Sequence, residues 1–212
     1  MQVAIALFDQ MTALDAIGPY EVLQRVPDFD ITFVGHSRGE IRTENGMLGL
    51  TVDATFDELP HPDVVLMPGG IGSRRLIADQ VVLDWLRTAH ASSRLTTSVC
   101  SGSLVLAAAG LLAGRPAATH WSVYDVLESL GAVATGERVV PLWDERIVTA
   151  AGVSSGIDMG LAVIAHLVDD VAAMAAQLET EYDPQPPFDS GSLAKATPEV
   201  RQRVREYGRV RN

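Results

Sequence analysis

Short apolar runs alternate along this chain with longer stretches in which apolar positions recur at helical spacing. Residues 3–8 (Val-Ala-Ile-Ala-Leu-Phe) are apolar without a break, and residues 63–67 (Asp-Val-Val-Leu-Met) nearly so. Runs of that length and composition predict strands buried on both faces of a parallel sheet. Residues 30–34 and 95–99 predict two more strands, the latter β-prone through Thr96, Thr97 and Val99. Residues 40–52 predict a small hairpin around Asn45-Gly46, and 117–119 a short strand with His120 at its end. Residues 138–142 and 146–150 predict strands joined through Trp143-Asp-Glu145. Helices are predicted to open at Gly18-Pro19 and to run over 73–91 and 121–130. A further helix is predicted to follow the turn at 152–156 and to break near Asp169-Asp170. Residues 183–191 are Pro-rich and carry neither period, and a charged helix over 197–208 follows behind Thr197, Pro198 and Glu199.

Strands alternating with helices imply an α/β fold with a mostly parallel sheet. No repeat or low-complexity linker marks a second domain. The expectation is one domain over 1–212, with its core at about 3–192 and a helical tail at 193–212.

Composition narrows the function classes. The chain is 47% hydrophobic and 20% charged, as expected of an ordinary soluble globular protein, and its formal net charge is -11. That charge argues against nucleic acid or an anionic membrane as partner. The single cysteine, Cys100, excludes an internal disulfide framework and a multi-cysteine metal site. The first residues lack the basic region of a signal peptide, and no apolar run reaches the roughly 18 residues that span a bilayer, so a cytoplasmic location is expected. His36, His61, His90 and His166 show no ligand-like spacing, so no metal is expected. The glycines at 69–72 lack the spacing and the following Lys of a phosphate loop, and no cofactor is expected.

In sheets of this class ligands bind at the carboxyl ends of the strands. Four predicted loops fall there: 9–15, 68–72, 100–103 and 151–155. The third holds Cys100, followed by Ser101, Gly102 and Ser103 and then an Ala/Leu-rich helical run. A nucleophile at a sharp strand-to-helix turn is a nucleophile elbow, and the helix N-terminus behind it favours thiolate. Asp15 is a carboxylate on the same edge of the sheet. Gly69 and Gly70 lack Cβ, and with the Ser101 N–H they could form an anion or oxyanion pocket. His120 is the remaining titratable group expected near the elbow.

Val99-Cys-Ser-Gly-Ser-Leu-Val-Leu-Ala-Ala-Ala-Gly-Leu-Leu112, Thr119-His-Trp121, Met67-Pro-Gly-Gly70 and Gly152-Val-Ser-Ser-Gly-Ile-Asp158 together resemble the DJ-1/PfpI superfamily. Within it, Leu14-Asp-Ala-Ile-Gly-Pro-Tyr-Glu-Val22 and residues 177–191 resemble the isocyanide hydratases, although several motifs also occur in sensor domains of AraC-type regulators. The resemblance runs over about residues 3–192. It implies a flavodoxin-like (class I glutamine amidotransferase-like) sandwich, a homodimer, and a strained backbone at Cys100. It implies hydration of an isocyanide to an N-substituted formamide, with Cys100 as nucleophile and Asp15 as general acid and base. Ser101 Oγ is then expected to bond Asp15 or the sulfur. The N–H groups of Gly70 and Ser101 are expected to line the pocket, with Gly152 and Val153 at the facing turn and Ile17, Ile71 and Trp121 as apolar walls. Ser101 departs from the Thr usual in the hydratases but keeps the hydroxyl. It also departs from the His that follows Cys in the PfpI proteases and related amidases. The alternatives are another activity of this fold (amidase, peptidase or glyoxalase-like) and a non-enzymatic ligand or redox sensor.

Overall fold

The computed structural model describes residues 1–211; Asn212, the last position of the predicted tail, lies outside the described residues. From the amino end, β1 (Gln2–Ala6) leads through α1 (Ala13–Leu23) to β2 (Asp30–Gly35). A hairpin of β3 (Gly39–Arg42) and β4 (Gly49–Val52) follows, then β5 (Ala54–Thr55) and β6 (Val64–Met67). Next come α2 (Ser73–Leu76), α3 (Gln80–Ser92), β7 (Leu95–Val99) and α4 (Gly102–Ala108). β8 (Pro116–Ala117), α5 (Tyr124–Ser129), β9 (Val133–Ala134), β10 (Val139–Leu142) and β11 (Ile147–Ala150) lead to α6 (Ser155–Leu167) and α7 (Asp170–Glu179). The last helix is α8 (Pro198–Arg211).

Seven strands form the main sheet in the order β10-β11-β7-β6-β1-β2-β5, with only the β10–β11 pair antiparallel. The unbroken apolar runs occupy its centre: Val3, Ala4, Ile5 and Ala6 of β1 and every residue of β6 and β7 are buried. Burial on both faces needs a helical layer on each. One group, α1, α6 and α7, packs together, and α6 lies on β7, β10 and β11. A second group links α2, α3 and α5 through α4, which lies on β6 and β7. The expected α/β architecture with a mostly parallel sheet is what forms.

Four boundaries differ from expectation, among them the run at 121–130, where a 3-10 turn over Trp121–Val123 precedes α5. α1 starts at Ala13, so Gly18-Pro19 lies inside the helix and Asp15 stands in its first turn. The Asp15 N–H bonds the Thr12 carbonyl and the Thr12 N–H bonds the Gly69 carbonyl, so the turn closes before the proline is reached. Pro19 removes only the bond to the Asp15 carbonyl. The run at 73–91 is two helices: Asp79 caps α3, accepting from the Val81 and Val82 N–H groups at 3.1 and 3.4 Å, and a capping side chain starts a helix anew. The strand expected at 117–119 is Pro116–Ala117, because the next N–H, of Ala118, turns to Thr149 Oγ1 at 2.8 Å.

The chain divides into two compact units, Met1–Thr180 and a second beginning at Glu181. Within the second, the Val200 N–H reaches Thr197 Oγ1 at 3.4 Å, as expected of a Thr cap, and Arg201 bonds the Leu193 and Ala196 carbonyls.

Candidate active site

β11, β7, β6 and β1 are parallel neighbours, so the segments leaving their carboxyl ends meet along one edge: 151–154, 100–101, 68–72 and 7–12. These are the four loops anticipated from the sequence, and hydrogen bonds tie them together.

Cys100 sits at the turn between β7 and α4 with φ +59°, the left-handed region. For a side-chain-bearing residue that costs about 1–2 kcal/mol, and neighbouring groups hold it there. Its N–H lies 3.0 Å from both the Ala150 and Ala151 carbonyls. Its carbonyl accepts from Thr119 Oγ1 at 3.0 Å and Ser103 Oγ at 3.2 Å. The side chain is 6% exposed, so the sulfur sits at the floor of the site.

Asp15 is fully buried. Its Oδ2 accepts the Gly69 N–H at 3.0 Å. Its Oδ1 makes no directed hydrogen bond among the described residues. The Cys100 thiol, which contacts the carboxyl and lowers its pKa, is the neighbour able to supply one. Burial dominates, raising Asp15 from 3.8 to about 7, against the Gly69 N–H and the thiol; the Glu44 carboxylate adds to the rise. Burial also pushes the Cys100 thiol up, as does the charge of Asp15, while the N–H groups of Ser101 and Val153 pull it down. Burial therefore works against the thiolate that the helix start was expected to favour. The Ser101 N–H at the helix start does favour charge on sulfur, but desolvation outweighs it. Carboxylate and thiolate cannot both be charged cheaply in this setting, so the pair behaves as one site sharing a proton.

Gly69 and Gly70 bring the second loop close to both groups. A Cβ on Gly69 would lie 2.5 Å from the Ser101 nitrogen and 2.9 Å from Cys100 Cβ. Gly70 has φ +126°, and its Cβ would lie 2.4 Å from the Thr12 nitrogen. Neither N–H is left free as an oxyanion donor. Gly69 spends its own on Asp15, and Gly70 donates to Ser101 Oγ at 2.9 Å. Nor does Ser101 Oγ bond Asp15 or the sulfur, as was expected. It donates to the Gly70 carbonyl at 3.2 Å and lies 2.9 Å from Ser73 Oγ, stapling the elbow to the glycine turn. The rotamer follows from the partners within reach, since Gly70 offers both a donor and an acceptor. The donors at the sulfur are the backbone N–H groups of Ser101 and Val153.

Val153 is itself held at φ +30°. Gly152 before it lies under His120, where a Cβ would meet His120 Cδ2 at 2.4 Å. His120 Nδ1 accepts the Ser122 N–H at 3.3 Å and lies 2.7 Å from Ser122 Oγ, which places the proton of the neutral ring on Nε2. Burial lowers its pKa, partly countered by Glu44, so the ring is neutral at pH 7. Trp121 is 37% exposed with its ring 5.2 Å from that of His120, and Ile71 is 38% exposed directly after Gly70. Ile17 stands two residues beyond Asp15, roughly 200° round the helix from it; it is half-buried and packs away from Asp15, so the structure does not bring it to Cys100.

Two groups at the site escaped the sequence reading. Ser73 completes the Ser101 staple. Glu44 reaches the site from the β3–β4 hairpin, and its Oε1 accepts the Ile71 N–H at 3.2 Å. The motif Arg42-Thr-Glu-Asn-Gly46 announces a turn and nothing of what lies beneath it. No cluster of His, Cys, Asp and Glu able to hold a metal is found among the described residues.

Residues 1–166 match the family model described as the DJ-1/PfpI family. The chain is 43% identical over 192 residues to the isonitrile hydratase of Pseudomonas putida, covering 91% of this chain and 83% of that protein. It is 33% identical over 118 residues to the transcriptional regulator GbdR of Pseudomonas aeruginosa, covering 55% of this chain and 32% of the regulator. The crystal structure of a ThiJ/PfpI family protein from Pseudomonas syringae superposes with a TM-score of 0.91 at 38% identity, covering 97% of this chain and 85% of that one. Fold, elbow and sequence agree: the chain belongs to the DJ-1/PfpI family.

Proposed function

We propose that this chain is a hydro-lyase that hydrates isocyanides to N-substituted formamides. The observation that carries the reading is the buried Asp15 carboxyl beside the Cys100 thiol, in a chain 43% identical to an isonitrile hydratase.

An isocyanide carbon is electrophilic until a nucleophile adds, and then holds a basic lone pair. Asp15 takes the thiol proton as sulfur attacks that carbon, and returns the proton to the same carbon. The product is a thioimidate, with a new S–C and a new C–H bond. Water then adds to the thioimidate carbon, Asp15 accepting its proton and passing it to the nitrogen. Collapse of the adduct breaks the C–S bond, leaves the carbonyl of the formamide, and returns the hydroxyl proton to the pair. One water is consumed and no external oxidant or reductant is needed. The Ser101 and Val153 N–H groups receive the charge on sulfur, and Ile71 and Trp121 wall the organic group at the mouth. The PfpI proteases and related amidases that this chain resembles carry a His directly after the nucleophilic Cys. Ser101 stands where that His would follow Cys, and His120 Nδ1 is committed to Ser122. The acting species is a cytoplasmic homodimer.

The test is formamide production from an aryl isocyanide by the purified protein. Cys100→Ala should abolish it and Asp15→Asn lower kcat/KM by about 100-fold or more. An absence of turnover across aryl and alkyl isocyanides overturns the reading.

A further inference from the structure

Glu44 lies outside the pair that performs the chemistry, yet its carboxylate is built into the mouth above it. The hairpin that carries it is laced to the loop before Asp15. The Gln10 N–H bonds the Arg42 carbonyl at 2.7 Å, the Arg42 N–H bonds Asp9 Oδ1 at 3.0 Å, and the Glu44 N–H bonds the Met11 carbonyl at 3.1 Å. The Glu44 side chain then crosses to the second loop, where Oε1 takes the Ile71 N–H. It thus bridges the β1 and β6 loops, one residue from the Gly70 N–H that holds Ser101.

Cations nearby are engaged elsewhere: Arg42 pairs with Glu40 at 2.6 Å, and Arg75 reaches Gln10 Oε1 at 2.6 Å. Among the described residues no Lys, Arg or His stands within ion-pair distance of Glu44. Its charge is felt by two groups on different elements, Asp15 on α1 and His120 before α5. An exposed carboxylate with no cation within ion-pair distance, standing beside the site, repels anions and leaves neutral molecules unaffected.

We propose that Glu44 is a specificity-determining residue that restricts the Cys100 site to uncharged or cationic organic molecules and excludes carboxylate-bearing ones. Applied to the hydratase reading, on which this part rests, the substrates are neutral or cationic isocyanides, and one bearing a carboxylate is a poor substrate.

The test uses the only cysteine as its own reporter and needs no turnover. Rates of Cys100 alkylation by neutral iodoacetamide and anionic iodoacetate are followed by intact mass for the wild type, Glu44→Gln and Glu44→Ala. Their ratio in the urea-unfolded chain serves as reference. In the native wild type iodoacetamide is favoured beyond that reference. Glu44→Gln keeps an acceptor for the Ile71 N–H but loses the charge. It should cut the preference roughly fivefold at low ionic strength, with the difference shrinking as salt is added. The same shift is expected in kcat/KM for phenyl isocyanide against its para-carboxylate. A ratio unchanged in Glu44→Gln, or both reagents accelerated equally, overturns the proposal. Alkylation reads the mouth even if no isocyanide is turned over, so failure of the hydratase reading and failure of this one give different results.

Discussion

At the scale of single residues, the site is a conflict between charge and burial that is settled by a shared proton. Asp15 binds its proton more tightly in the native state than in the unfolded chain, because burial raises its pKa from 3.8 to about 7. The stability this contributes is full below pH 3.8 and is lost as pH rises through about 7. Urea unfolding of the wild type should therefore weaken between pH 5 and pH 8.5. Asp15→Asn, which can still accept the Gly69 N–H, should weaken less over the same interval. Catalysis has the opposite slope. The fully protonated pair lacks the base that takes the thiol proton, so kcat/KM should rise with an apparent pKa near 7. A rate that falls through that range would contradict Asp15 as the proton carrier. Cys100 adds a backbone test. Cys100→Gly and Cys100→Ala should both be inactive, but only glycine is at ease at φ +59°. The glycine variant should be the more stable by about 1 kcal/mol.

At the scale of elements, α4 and α2 are joined through side chains rather than through the sheet. Ser101→Ala would leave the buried Gly70 N–H without its 2.9 Å acceptor. The expected cost is about 1–3 kcal/mol in urea unfolding, and a larger KM as the glycine turn loosens. Gly69→Ala tests the contact between the β6 and β7 exits more severely. Its Cβ would press on the Ser101 backbone nitrogen, which cannot yield without moving Cys100. A loss of about 2–4 kcal/mol is expected, with alkylation of Cys100 altered in parallel. Much of this layer was legible. Residues 3–8 and 63–67 read as buried strands because parallel sheets leave no polar face to alternate with, and 95–99 read as a strand through its β-prone Thr96, Thr97 and Val99. One mistake fell where a long-range bond overrides a local signal, the other where a capping side chain interrupts an unbroken period. Thr12 bonded to Gly69 opens α1 five residues before Gly18, and Asp79 restarts a helix that periodicity had run straight through.

At the scale of the whole molecule, the strand order β11-β7-β6-β1 decides that four loops become one site. No described helix is long and apolar enough to cross a membrane. The proposed homodimer carries its own test: sedimentation at micromolar concentration should give twice the chain mass, and a single-chain mass would refute it. With a net charge of -11, the protein should also show no shift in mobility with duplex DNA at physiological salt.

The family resemblance implied the pairing of Cys100 with Asp15; composition by itself determined the fold class, the position of the elbow and a carboxylate on the same edge of the sheet. The last three are written locally: apolar runs of strand length, small residues after a lone cysteine, and a carboxylate just past the first strand. Tertiary structure alone decided where the polar atoms of that site turn. Ser101 Oγ chooses Gly70 and Ser73 over the sulfur because those partners are brought within 3 Å from about 30 residues away in the chain. The Gly69 and Gly70 N–H groups are used up for the same reason. Glu44 reaches the mouth because a hairpin edge is laced to the Asp9–Met11 loop. Hydrogen-bond choice depends on distances of a few tenths of an ångström between remote segments, and apolar periodicity carries no record of them.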